Sequence, residues 1–163
     1  MTVAELTKKM VEYSGGNLHD ISHFLKVYAY AKTIGQCEGL DDATQKTLEI
    51  AALVHDIACP LCREEYGSAI HKRQEEEGML LTAAFLQPAG LPQAMVDRIV
   101  YLVGHHHTLT EMEGLDYRIL LEADFLVNAE ESGYGPETIE NGLRLIFRTR
   151  TGTALLRSIY KVP

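Results

Sequence analysis

Residues 48–58 read LEIAALVHDIA, an apolar run that delivers a histidine and an aspartate side by side, His55 and Asp56. Leu48, Ala51, Ala52 and His55 recur at intervals of three and four, which on a helix returns them to one face. The run therefore predicts a buried helix over about 42–56 that carries His55 inward, with Asp56 one step round at the helix end. Two polar side chains entering an apolar core need partners there, because an unpaired buried carboxylate is costly.

The same spacing governs most of the chain. Helices are expected at roughly 3–13, 19–38, 42–56, 68–87, 92–107, 116–131, 137–147 and 152–160. They are punctuated by turn and cap residues at Ser14–Asn17, Gly39–Asp41, Cys59-Pro60, Pro88–Pro92 and Gly133–Pro136. No run of strict two-residue alternation competes with this pattern, so the fold class is all-α, a helical bundle. At 163 residues the chain suits one domain with a sizeable core.

Composition narrows the function classes. Hydrophobic residues make up 46% and charged residues 23%, the balance of an ordinary folded protein. A formal net charge of -8 opposes general binding to nucleic acid or to anionic membrane. No apolar stretch approaches spanning length, and the start, MTVAELTKKM, lacks the apolar core of a signal peptide. The cytoplasm is the expected compartment. The three cysteines, Cys37, Cys59 and Cys62, cannot all pair within one chain, which suits a reducing environment.

Placed on these helices, the polar residues converge. His23 shares a stripe with Val27, Ala31 and Ile34; His106 shares one with Ile99, Leu102 and Val103; Asp124 shares one with Tyr117, Leu120 and Val127. Four helices thus each aim a potential ligand inward. Neutral imidazoles beside carboxylates suit a divalent transition metal, and His23, His55, Asp56 and Asp124 would form its cage. An aspartate next to a ligand histidine can both coordinate and orient a metal-bound water.

On these residues the chain resembles the HD-domain superfamily of metal-dependent phosphohydrolases, whose pattern is a histidine, then His-Asp, then a distal aspartate. HDISHFLKVYAYAKTIG is similar to the family's first helix, LEIAALVHDIA to its central motif, YLVGHHHT to its later histidine-bearing helix and LLEADFLVNAE to its closing one. The resemblance, which covers about 19–130, implies a metal-site core there within a single HD domain over 1–163; for the C-terminal helices at about 137–160 the sequence leaves open whether they pack over the site or form an interface, as in a homo-oligomer. It implies metal ligands at His23, His55, Asp56 and Asp124, and a phosphate-facing cation at Lys26. Ile57-Ala58 stands where many members have Ile-Gly. The deoxynucleotide-phosphatase branch has a glutamate in the window that here reads Ile57-Ala58-Cys59-Pro60, so its activity does not carry over.

Further residues are candidates for a second metal or a pocket: His71 and Glu75, one turn apart on a helix, and His105 and His106, of which helical phase favours His106 as the inward one and leaves His107 at the helix end. One divalent ion (Mn, Fe, Co, Ni, Zn or Mg) is expected rather than two. His19 and Asp20, a second His-Asp pair, fall at a helix start and read as capping residues. Cys59 and Cys62 have C-x-x-C spacing without a second pair or a βαβ setting, and read as an incidental loop pair. The expected function is hydrolysis of a small phosphate ester, a nucleotide or related metabolite, by metal-activated water. Asp56 and His106 are the expected catalytic groups. The alternatives are a di-iron oxygenase of the same superfamily, which needs the second metal, and a non-catalytic metal-binding sensor or interaction domain.

Overall fold

The computed structural model describes residues 1–67, 71–110 and 112–163. Among them the chain forms nine α-helices and no strand: α1 Val3–Tyr13, α2 Leu18–Glu38, α3 Asp42–Val54, α4 Cys59–Tyr66, α5 His71–Leu86, α6 Gln93–Val103, α7 Leu115–Glu131, α8 Pro136–Leu145 and α9 Arg150–Tyr160. Side-chain caps fix several starts. Thr2 and Glu5 form a reciprocal capping box on α1, while Asn17, Asp41 and Thr149 accept backbone N–H bonds at the starts of α2, α3 and α9. Gly39 ends α2 at a φ of 77°, a conformation that costs glycine nothing.

Helix α3 is the axis of the fold. Every residue from Thr47 to Val54 is buried, because α2 packs on one side, α6 and α7 on others, and α1 covers what remains. A helix apolar on all sides needs such an enclosure. Helix α2 also packs on α7, α5 on α6, and α9 on both α2 and α7. The C-terminal helices therefore close the bundle behind the two elements that carry His23 and Asp124. No helix among the described residues is long and apolar enough to cross a membrane.

The helical reading needs three corrections. The break expected at Cys59-Pro60 is instead the start of α4, with Pro60 in the first turn, where its missing N–H leaves nothing unsatisfied. Cys59 and Cys62 are accordingly helical and buried rather than in a loop. Helix α3 stops at Val54 and α6 at Val103, short of the 56 and 107 expected, so His55-Asp56 and His105 to His107 sit in tight turns. The start expected at 68 falls on residues 68–70, which lie outside the described residues.

Candidate metal centre

The early helix ends have a geometric consequence. Neighbours on an α-helix point about 100° apart, so a continuing helix could aim only one of two adjacent residues at a given spot. Leaving the helix at Val54 lets both His55 and Asp56 turn toward His23 on α2 and Asp124 on α7. His23 Nε2 and His55 Nε2 lie 3.2 Å apart. Asp56 Oδ2 lies 3.3 and 3.5 Å from them, and Asp124 Oδ1 lies 3.3 and 3.4 Å from them. His106 joins from the turn after α6, its Nε2 3.3 Å from Asp56 Oδ1.

The outer ring nitrogens decide what the inner ones present. His55 Nδ1 donates to the Ala52 carbonyl at 2.9 Å and His106 Nδ1 to the Val103 carbonyl at 2.7 Å. A carbonyl only accepts, so each Nδ1 carries the proton and each neutral ring turns a lone pair inward at Nε2. His23 Nδ1 is held at 2.8 Å by the Glu131 carboxylate, with the same result. Three imidazole lone pairs and two carboxylates thus converge with no donor among them unless a ring is doubly protonated. His106 Nε2 and Asp124 Oδ1 are buried and have no hydrogen-bond partner among the described residues. Ligand atoms about 2.1 Å from one ion sit about 3.0–3.4 Å from each other, close to the spacing of this cluster. The donor set fits a divalent cation: His23, His55 and Asp56 form one group able to hold an ion, and Asp56, His106 and His107 form a second, each with ligand atoms within 4.8 Å of one another.

Without an ion, protons take its place. Burial alone would lower the basicity of His23, but the Asp124 contact and the Asp56 charge outweigh it and raise its pKa to about 9. His55 is raised against its own burial by Asp56 and Asp124. Asp124, despite burial, is held well below the usual carboxylate range by His23 and His55. A metal must displace the His23 proton, so its apparent affinity weakens as pH falls below about 9. We expect affinity for Co²⁺ or Zn²⁺ to rise about tenfold per pH unit between pH 6 and 8. Competition against a chelator of known pH dependence measures this, and a pH-independent affinity would contradict the protonation scheme.

Other expected residues are placed differently. The His105 ring stacks on Tyr101 at 4.1 Å and its Nδ1 donates to the Tyr101 carbonyl, so it faces away from the cluster. His107, assigned to a helix end by phase, is partly buried and joins the inward His106 beside Asp56, because the chain has left the helix. Glu75 accepts from the His107 backbone N–H at 3.0 Å and from the Thr108 hydroxyl, which ties α5 to this turn. His71 is exposed and stacks on the His107 ring at 3.9 Å. Burial, followed by the neighbouring His106 and His71 rings, pushes the His107 pKa down to about 3. Lys26 is ion-paired to Glu131 at 3.1 Å and Glu130 at 3.3 Å. Asn17 caps α2 by accepting from the Asp20 backbone N–H, and the Asp20 carboxylate accepts in return from the Asn17 amide at 2.9 Å while also pairing with Arg63.

Three contributors escaped the sequence reading. Glu131 orients His23, and its signal was its place seven residues after Asp124, on the same face of α7. Gln74 bonds His107 Nε2 at 3.1 Å and approaches Asp56 Oδ1 at 3.5 Å. Arg63 lines a cleft of about 170 Å³ that reaches His23 and Asp56 between α2, α4 and α7. Asp56, with a side chain 28% exposed against 0% for His55 and His106, is the most open member of the cluster. On the other side, His106, His107 and Asp124 border a pocket of about 140 Å³ with Phe125 and Tyr134.

The HD domain family model matches residues 20–147 of this chain. A structure described as a predicted HD superfamily hydrolase from an uncultured Thermotogales bacterium superposes with a TM-score of 0.67 at 25% identity, over 98% of this chain and 83% of that one. The Lin1889 protein from Listeria innocua superposes with a TM-score of 0.62 at 17% identity, over 99% and 91% respectively, a likeness of fold. No curated protein matches the chain.

Proposed function

This chain belongs to the HD domain family, and on that premise we propose that it is a metal-dependent hydrolase of a small phosphate ester, a nucleotide or related phosphorylated metabolite. The carrying observation is the convergence of the Nε2 atoms of His23, His55 and His106 with the carboxylates of Asp56 and Asp124, beside a cleft that His23 and Asp56 line. His23, His55, Asp56 and Asp124 would hold the ion. Once bound, such an ion would supply the chemistry of lowering the pKa of water and polarising a phosphoryl oxygen. The chain's own part is orientation and exclusion. Glu131, Ala52 and Val103 fix the three rings, and Asp56, open to the cleft, directs a water toward an incoming phosphorus. His106, buried 3.3 Å from Asp56 Oδ1, is placed to exchange a proton through that carboxylate. The likeness to a hydrolase at 25% identity supports the reaction class.

A second reading has its own observation. Asp56 belongs to both candidate groups, one with His23 and His55 and one with His106 and His107. A carboxylate so shared suits two ions as well as one, and with iron it would support the oxygenase chemistry of some HD relatives. Metal analysis of protein purified without chelator, followed by assay on phosphate esters with and without oxygen, separates the two. Oxygen-independent phosphate release supports the hydrolase. About two irons per chain with oxygen-dependent turnover would replace it with the oxygenase, and metal binding without turnover on either panel would leave a non-catalytic domain.

A further inference from the structure

The cleft that opens on Asp56 carries three carboxylates, Asp20, Asp56 and Glu131, and among the described residues lining it Arg63 is the only permanent cation. Arg63 stands on α4, directly after the turn that bears His55 and Asp56, so one short segment, 55–63, presents both the centre and the cation. Its Nη2 pairs with Asp20 Oδ2. A guanidinium has five N–H donors in a planar fork, so one edge can hold Asp20 while the other meets a phosphoryl group. Lys26, the other cation near His23, is already committed to Glu130 and Glu131.

Building on the hydrolase reading, we infer that Arg63 receives the non-bridging oxygens of the substrate and that the cleft takes a monoester bearing a single phosphate. The charge balance argues for the single phosphate. One such group at the centre meets the guanidinium on one side, whereas the further phosphates of a di- or triphosphate would find no second permanent cation among the described residues lining the cleft, whose Asp20 and Glu131 already hold Arg63, Lys26 and His23.

The test uses the metal-loaded protein with p-nitrophenyl phosphate as substrate and inorganic phosphate as a binding probe. Arg63→Met is expected to raise KM about 10- to 100-fold and weaken phosphate binding to a similar degree, with metal content unchanged. Arg63→Lys should recover part of the loss, since it returns the charge without the fork. Asp20→Asn is the control for a merely structural pair: it should leave KM unchanged or lowered. A KM that rises as much in Asp20→Asn as in Arg63→Met would mean that Arg63 acts by holding α4, and would overturn the inference. So would turnover with unaltered KM in Arg63→Met, while leaving the hydrolase reading intact. Phosphate binding that depends on Arg63 in a protein that hydrolyses no ester would do the reverse. Preference for ATP over AMP in kcat/KM would overturn the single-phosphate assignment.

Discussion

Asp56→Ala is expected to lose its metal and its turnover together while remaining folded. Both carboxylate oxygens face the centre: Oδ2 lies 3.3 Å from His23 Nε2, and Oδ1 lies 3.3 Å from His106 Nε2. Asp56 is also the one residue common to both candidate metal groups. Removing a residue that merely supports a ligand costs roughly 10–100-fold in metal affinity. Removing a charged group placed among three rings should cost more, about 10³-fold or beyond in turnover once water activation is lost. Folding should survive, because the side chain is 28% exposed and the turn's backbone bonds, Ile57 N–H to Val54 and Cys59 N–H to Asp56, do not involve the carboxylate. Asp56→Asn, similar in shape but neutral, should also fall well below the wild type in metal content. Elemental analysis after gel filtration, with circular dichroism as the folding check, gives the answer. Full metal occupancy in a folded Asp56→Ala protein would refute the assigned cage.

The legible and illegible parts of this site divide along helix ends. His23 and Asp124 lie in helix interiors, where the three-and-four spacing of Val27, Ala31 and Ile34, or of Tyr117, Leu120 and Val127, reports the buried face. Their inward placement followed from periodicity alone. His106 and His107 lie beyond the end of α6, and there helical phase no longer applies. Phase extrapolated past Val103 picked out His106 but placed His105 on a neighbouring stripe and left His107 at the end. His105 in fact lies against Tyr101. Helix α4 was hidden by Pro60, read as a breaker although proline suits a first turn, and Arg63 was hidden with it. Lys26 was assigned to a substrate because a cation one turn from a ligand histidine is well placed for one. Its actual partners, Glu130 and Glu131, stand more than a hundred residues away, and only the packing of α2 on α7 brings them together.

Glu122→Ala is expected to be the most destabilising of the substitutions considered, and to act without touching the centre. Helix α7 is enclosed on nearly all sides, so Glu122 is fully buried although it lies only two positions from Asp124. Its carboxyl group accepts from the Arg148 backbone N–H at 2.6 Å, the Thr149 backbone N–H at 2.8 Å and the Thr149 hydroxyl. That hydroxyl in turn accepts from Gly152 N–H and caps α9. One acid therefore pins the turn that starts α9, and α9 packs on α2 and α7. The approach is close enough that a Cβ at Gly152 would lie 2.0 Å from Glu122 Oε2, so glycine is needed there for space rather than for backbone freedom. Alanine at 122 would strand two N–H groups and open a cavity, at a cost of about 3–4 kcal/mol. For a chain of this length that lowers the melting temperature by about 6–16 °C. Glu122→Gln keeps one acceptor and lets the Thr149 hydroxyl reorient, so its cost should be nearer 1 kcal/mol. Well below the transition, metal content per folded chain should match the wild type in both variants. That outcome distinguishes loss of the α9 anchor from loss of the site. Thermal unfolding followed by circular dichroism measures it, and a Glu122→Ala protein as stable as the wild type would show that the buried acid does not hold α9 in place.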